Sequence, residues 1–289
     1  MNKAVKKSVG THLETQSNAK MLSHVKVGGD CALTIWTNDS GQVSYDRTEG
    51  HTFSFYLNGG QGVSRLDHGK VQGWPGSICV FPQGHSSSWE INERFEFLHV
   101  YLSDQELRRQ FAQTFDKDAR LLDVREHTFI NSDQLKQAFV QLQNAAFDED
   151  PMYAEEGVTS LLCEAMASDV LGEFRRPSLT GGLSPKNLKI VKDYVMANLD
   201  RPITLRELAA LVNLSEYHFQ RNFKAQCGVS PHVWMTHLRI DHSKHLMGQK
   251  QSLADISSAC AFSSQSHFSR TFKSYTGMTP GAYLKNLHA

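Results

Sequence analysis

Over the first hundred positions the apolar residues fall in short runs rich in Phe, Val, Ile and Tyr, broken by Gly-Gly, Pro-Gly and Asn-Asp-Ser clusters. This pattern predicts strands over Cys31–Trp36, Gly41–Arg47, His51–Leu57, Gly76–Phe81 and Arg94–Leu102, and many short strands with glycine turns predict a small sandwich or barrel. The period then lengthens. Ser103-x-x-Glu106 is a capping box that opens a helix carrying Leu107, Phe111 and Phe115. Helices follow over Ser132–Phe147 and Met152–Phe174. The second gathers Val158, Leu161, Leu162 and Ala165 on one face, a stripe suited either to pairing two subunits or to packing on its own barrel. Gly172–Ser184 carries three glycines and a proline and reads as a linker, with Ser184 and Pro185 starting a helix marked by Leu188, Val191 and Val195.

The rear of the chain repeats itself. His218-Phe219-Gln220-Arg221-Asn222-Phe223-Lys224 returns forty-nine positions later as His267-Phe268-Ser269-Arg270-Thr271-Phe272-Lys273. Gly228-Val229-Ser230-Pro231 is matched by Gly277-Met278-Thr279-Pro280, and Thr204-x-x-Glu207 by Ser252-x-x-Asp255. Each copy reads as a short helix, a tight turn and a second helix ending at glycine. Phe219 and Phe223, four apart, form a buried stripe, so Tyr217, Gln220, Arg221 and Lys224 project largely elsewhere. In the second copy Phe268 and Phe272 face inward, leaving Gln265, Ser266, Ser269, Arg270 and Lys273 outside. His218 and His267 adjoin the buried phenylalanines and suit packing or capping. Two helix-turn-helix units result, at about 205–227 and 253–276, joined by a helix over Pro231–Met247 with Trp234 and Leu238 inward. The first turn has Asn213, which tolerates a left-handed backbone; the second has Ala261, so mild strain is expected there.

The 289 residues carry no net charge, which conceals an asymmetry. Residues 1–183 hold 17 Lys+Arg against 24 Asp+Glu, whereas residues 184–289 hold 13 against 6. An acidic front joined to a basic rear implies that only the rear meets a polyanion. Lys3, Lys6 and Lys7 are followed by polar residues rather than an apolar leader, and no apolar run suits a membrane span. The five cysteines form no C-x-x-C pair, as expected of reduced thiols in a cytoplasmic chain.

The stretch from Ser184 to Leu287 resembles the DNA-binding domain of the AraC/XylS transcription regulators. The resemblance rests on Leu214-Ser215-x-x-His218-Phe219-x-Arg221-x-Phe223-Lys224, Gly228-x-Ser230-Pro231, Arg239, Ala259-x-x-Phe262-x-x-Gln265-Ser266-His267-Phe268-Ser269-Arg270-x-Phe272-Lys273 and Gly277-x-Thr279-Pro280-x-x-Tyr283. Ala261 departs from the family's usual glycine, and Ser243 from its usual small apolar residue. The resemblance implies two recognition helices entering successive major grooves of double-stranded promoter or operator DNA. It assigns base contacts to Tyr217, Gln220 and Arg221 and to Gln265, Ser266 and Arg270; Lys224 and Lys273 suit phosphate.

Pro75-Gly76-x5-Pro82-x-Gly84 resembles a strand motif of cupin barrels, the sensor domains of many such regulators. The expected fold class is therefore α+β: a cupin-like sensor with helices over 1–175, a linker at 176–183, and an all-α DNA-binding domain over 184–289. A cupin metal site needs about three imidazoles and a carboxylate. The H-x-H pair is missing at His51, and serines occupy 86–88. We expect no metal, no cofactor and no catalytic residues, but a small-molecule effector held near His51, Tyr56, Trp89, Phe97 and His99. A homodimer and an encounter with RNA polymerase complete the expectation. Two alternatives stay open: a metal-dependent cupin enzyme with a DNA-binding tail, and an architectural DNA binder that needs no ligand.

Overall fold

A computed structural model describes residues 7–115, 117–168, 170–171, 181–249 and 251–287. The chain forms two compact units. One comprises Met1–Asp104 with Asp123–Glu173, the other Gln105–Leu122 with Phe174–Ala289. Gln105–Leu122, expected within the front domain, thus belongs with the helical unit. The linker at 176–183 lies outside the described residues up to 180.

The first unit begins with α1 (Val9–Gln16), then β1 (Lys20–Gly28), β2 (Cys31–Asn38), β3 (Gly41–Tyr45), β4 (His51–Asn58), β5 (Val63–Arg65), β6 (Val71–Gln72), β7 (Ile78–Phe81), β8 (Ser87–Ile91) and β9 (Phe95–Leu102). After α2 (Asp104–Phe115) it resumes with β10 (His127–Ile130), α3 (Asp133–Phe147) and α4 (Pro151–Ala167). Antiparallel pairing gives one sheet in the order β1-β2-β9-β4-β7-β10 and a second in the order β3-β8-β5-β6. This is a cupin-like β-sandwich.

Strand alternation sends Trp36, Tyr56, Phe81 and Phe97 of the larger sheet toward Val43, Tyr45, Trp89 and Ile91 of the smaller one, with Val9 and Leu13 of α1 completing that core. The alternate residues Leu33, Ile35, Phe53, Phe55, Leu98 and Val100 are equally buried. They line the opposite face, where the Phe55 and Phe139 rings stack with centroids 4.9 Å apart. Val158, Leu161, Leu162 and Ala165 of α4 are buried within this single chain. The stripe therefore packs on its own domain and is not free to pair subunits.

The second unit contains α5 (Pro185–Ala197), α6 (Leu205–Leu211), α7 (Glu216–Cys227), α8 (Pro231–Met247), α9 (Leu253–Ala259), α10 (Gln265–Thr276) and α11 (Pro280–Leu287). Ser184, Thr204, Ser215, Ser230, Ser252 and Ser264 each cap a helix by accepting a backbone N–H from the first turn. Thr204 and Glu207 form the full capping box. Phe219, Phe223 and Trp234 pack in the first module, and Phe262, Phe268, Phe272 and Tyr283 form a ring chain in the second. Ser243 is fully buried, but its hydroxyl donates to the Ile240 carbonyl at 2.7 Å, so the polar atom is satisfied.

The two turns are the same. Asn213 and Ala261 both sit at φ 53°, so alanine keeps the left-handed geometry at a cost of about 1–2 kcal/mol. Ala261→Gly is expected to stabilise this unit by roughly 0.5–1 kcal/mol, the relieved strain exceeding the added unfolded-chain entropy. An unchanged or lower thermal midpoint would contradict this.

Within the second unit α2 lies at the end of α7. Gly228 caps α7 at φ 78°, and a Cβ there would stand 3.0 Å from Arg108 Cβ and 3.2 Å from backbone atoms of Arg108 and Arg109. Only glycine allows this approach. Arg108 Nη1 donates to the carbonyls of Ala119 (2.7 Å) and Leu122 (3.2 Å), which closes α2 onto the 3-10 turn Ala119–Leu121.

Candidate nucleic-acid interface

The Ser215 hydroxyl starts α7 by accepting from His218 N, and the Ser264 hydroxyl starts α10 by accepting from His267 N. From these caps the helical period fixes which side chains leave the protein. Phe219 and Phe223, and Phe268 and Phe272, are fully buried. Tyr217 is 68% exposed, and Gln220, Arg221, Lys224, Gln265, Ser266, Arg270 and Lys273 are all exposed. Among the described residues none of these eight side chains makes an intramolecular hydrogen bond or ion pair. Two guanidinium groups, two amides and two ammonium groups are thus presented with their donors unused. Arg suits the paired acceptors of guanine and Gln those of adenine.

Two other arginines of this unit are engaged by intramolecular partners. Arg239, part of the family signature, is half-buried, and its Nη2 donates to the Arg201 carbonyl at 3.0 Å. Arg201 itself pairs with Glu207 at 3.0 Å. His218 and His267, expected to pack or cap, are instead exposed on the two recognition helices. The sequence signal that reveals them is the repeat itself, which sets each histidine three residues before the exposed arginine.

In the sandwich, Tyr56, Trp89, Phe97 and His99 line a cavity of about 30 Å³ together with Leu13, Asn38, Tyr45, Ser54, Phe81 and Phe95, among others. That is room for about two waters. His51 is not part of it. Positions 51 and 56 differ in parity along β4, so His51 faces away from Tyr56. Its Nε2 lies 3.2 Å from Asp104 Oδ1 and its Nδ1 accepts from Gln83 N. Asn38, Tyr45, Ser54 and Phe95 were not anticipated as lining residues; the same parity rule selects Ser54 beside Tyr56 and Phe95 beside Phe97.

The ring nitrogens of His51, His85 and His99 are all occupied. His85 meets Glu126 and Ser87 at 3.0 and 2.6 Å, and His99 meets Tyr101 and Ser54 at 2.9 and 3.0 Å. Burial holds His99 down to about 3, so at neutral pH it is an uncharged hydrogen-bonding group. Among the described residues no group of three or more His, Cys, Asp or Glu is arranged to hold a metal ion.

Residues 208–286 match the family model described as "Helix-turn-helix domain". The probable transcriptional regulator LumQ of Photobacterium leiognathi is 34% identical over 81 residues, 28% of this chain and 33% of that protein. The chain's match thus spans about a third of the length of LumQ. The MmsAB operon regulatory protein of Pseudomonas aeruginosa is 25% identical over 232 residues, covering 76% of this chain and 70% of its own. Among solved structures, a transcriptional regulator with an AraC-type DNA-binding domain from Chromobacterium violaceum aligns at a TM-score of 0.34 with 28% identity, over 35% of this chain and 92% of its own.

Proposed function

We propose that this chain, which belongs to the AraC/XylS family, is a sequence-specific transcription regulator that reads double-stranded DNA with α7 and α10. The observation that carries the reading is the duplicated set of exposed, unpartnered side chains on two helices whose opposite faces are locked by buried phenylalanines. Arg221 and Arg270, with Gln220 and Gln265, read base edges; Tyr217 and Ser266 fill the same faces. Lys224 and Lys273, in the last turns of their helices, bind phosphate and set register. The expected partition at 1–175 and 184–289 is modified here. We assign Gln105–Leu122 to the DNA-binding unit, so the full chain is the proper object for binding measurements.

The barrel senses a small molecule at the cavity bounded by Tyr56, Trp89, Phe97 and His99. Since ligand pockets commonly measure ~300–1,000 Å³, an effector enters only by displacing those side chains, and this rearrangement is what the barrel transmits. The regulator acts in the cytoplasm as a homodimer and meets RNA polymerase at the promoter. Among the described residues no helix is long and apolar enough to cross a membrane. A metabolite screen reading thermal stabilisation of the full chain tests the sensor: a stabilising compound whose effect vanishes in Trp89→Ala supports it, and a screen without any stabilising compound favours the ligand-independent DNA binder.

The DNA reading is tested by selecting a duplex from a random-sequence pool with the full chain, then titrating binding against salt. Affinity is expected to fall steeply and linearly on logarithmic axes because phosphate contacts release counterions. Lys224→Ala and Lys273→Ala should each reduce the slope by about 1. A flat salt response would sink the reading.

A further inference from the structure

We propose that Glu216 determines sequence specificity in the first module. Its carboxylate, at the start of α7, accepts a hydrogen bond from the amino group of a cytosine. The half-site under α7 therefore demands a C·G pair where the half-site under α10, with Gln265 in the same place, takes A·T. The proposal deepens the reading of α7 and α10 as recognition helices and rests on it.

The two modules share a scaffold. Each has a serine cap, a turn at φ 53°, two fully buried phenylalanines and a terminal glycine at φ 78° or 80°. The offset of forty-nine positions keeps Arg221 with Arg270 and Lys224 with Lys273. In the same register Glu216 falls on Gln265, and each is the first residue of its helix and exposed. The outward positions are where the copies diverge: Glu216 against Gln265, Tyr217 against Ser266, and Gln220 against Ser269. Of these only the first exchange alters charge. The opening turn of α7 is acidic and that of α10 is not.

Glu216 stands one turn before Gln220 and about 40° from it around the helix, so the two side chains share a flank. A recognition helix meets base edges with its N-terminal residues, which puts Glu216 at the reading end. Among the described residues its carboxylate makes no hydrogen bond or ion pair. An ionised carboxylate only accepts, and phosphates repel it, so in the groove it is favourable solely beside a donor. Guanine offers N7 and O6 and thymine O4, all acceptors; adenine sets its N7 acceptor next to its amino group; cytosine offers an amino donor alone. The Gln265 amide both donates and accepts, which matches the adenine pair. Glu216 also favours the positive end of the helix dipole, a role that is independent of DNA, and the test separates the two.

The full chain, Glu216→Gln and Gln265→Glu are each used to select duplexes from the random-sequence pool. Glu216→Gln should exchange C for A at one position in the half whose preference Arg221→Ala relaxes, and leave the rest of the site unchanged. Gln265→Glu should make the reverse exchange in the other half. Placing A·T at that C·G position should weaken wild-type binding by about 5- to 150-fold, the usual range for one mismatched pair, and should not weaken Glu216→Gln. Affinity of Glu216→Gln for an unrelated duplex should rise, because a charge repelled by phosphates is gone. A Glu216→Gln selection that returns the wild-type sequence, with only the thermal midpoint lowered, would overturn the proposal and leave Glu216 a helix-start residue. An exchange in the half governed by Arg270 would also overturn it. A wild type that enriches no sequence at all would instead remove the reading on which the proposal depends.

Discussion

Arg221→Ala is expected to weaken binding of the selected duplex by about 5- to 150-fold, and Arg270→Ala by a similar factor, the ~1–3 kcal/mol of one bidentate base contact each. Both guanidinium groups are exposed without intramolecular partners, so neither substitution removes anything the fold depends on, and thermal midpoints should stay at the wild-type value. The losses should fall in different places. Selection repeated with each variant should relax preference around one half of the site for Arg221→Ala and the other half for Arg270→Ala, with centres ~10 bp apart if the helices occupy successive grooves of one face. Affinity for an unrelated duplex should change much less, because that binding depends on phosphate. Relaxation at the same base pairs in both variants would show that the two modules do not read side by side. Unchanged affinity in both would show that these faces do not read DNA.

How much of this was legible in the sequence depended on the range of the forces involved. The helical unit is governed by local rules. Serine caps, glycine ends and a four-residue phenylalanine spacing sit within a dozen positions of each other, and the repeat states them twice. The recognition helices accordingly lie where expected, with the expected side chains outside.

The barrel is governed by long-range pairing, and there the reading was partial. Short strands such as β5 and β6 exist because β8 supplies the partner of β5 at Val63↔Ile91 and Arg65↔Trp89, and β5 in turn supplies that of β6 at Ser64↔Gln72, which no local pattern encodes. The imidazole of His51 has the chemistry of a pocket residue, but its parity on β4 turns it to the face opposite the cavity. The attachment of Gln105–Leu122 to the helical unit was invisible as well. It follows from a glycine at 228 accepting Arg108 across a separation of 120 residues, and glycine at that position was already accounted for by the helix cap. Ala261 shows the converse: the strain expected from its identity is present in its backbone angle.

The largest effect on stability is expected at a residue with no part in reading DNA. Arg65 is 1% exposed, its Nη1 donates to Glu126 and Thr128, and its Nε and Nη2 grip Asp67 at 3.1 and 2.9 Å. Its guanidinium also lies 5.7 Å from the centroid of the Trp89 ring. Arg65→Ala empties the buried place of the guanidinium and leaves Asp67 and Glu126, each 34% exposed, without their cation; it should destabilise the barrel by about 2–3 kcal/mol, since hydrogen bonds to charged groups contribute about 1.5–3 kcal/mol and the part-exposed carboxylates recover some hydration. Arg65→Met combined with Glu126→Gln should recover part of that loss by removing one stranded charge. The hydrogen bond from Arg65 holds Asp67 well below the usual carboxylate range. For Glu126 burial acts upward, but Arg65 and His85 outweigh it and the net shift is also downward. Carboxylates depressed in the folded state lend stability that is complete above their unfolded values near pH ~4 and is lost as pH falls through the folded ones. Wild-type stability, followed by denaturant midpoint, should therefore decline below about pH 4, and the Arg65→Ala curve should be lower but flatter there. Equal slopes would mean that these carboxylates owe their acidity to something other than Arg65. The position of Glu126 explains why the barrel tolerates a buried arginine. The chain returns to the first unit at Asp123, and Glu126, three residues on, is fixed by Arg65 and His85 just before β10 joins the sheet beside β7. The ion pair thus fixes the strand that resumes the sandwich after the chain's excursion into the helical unit.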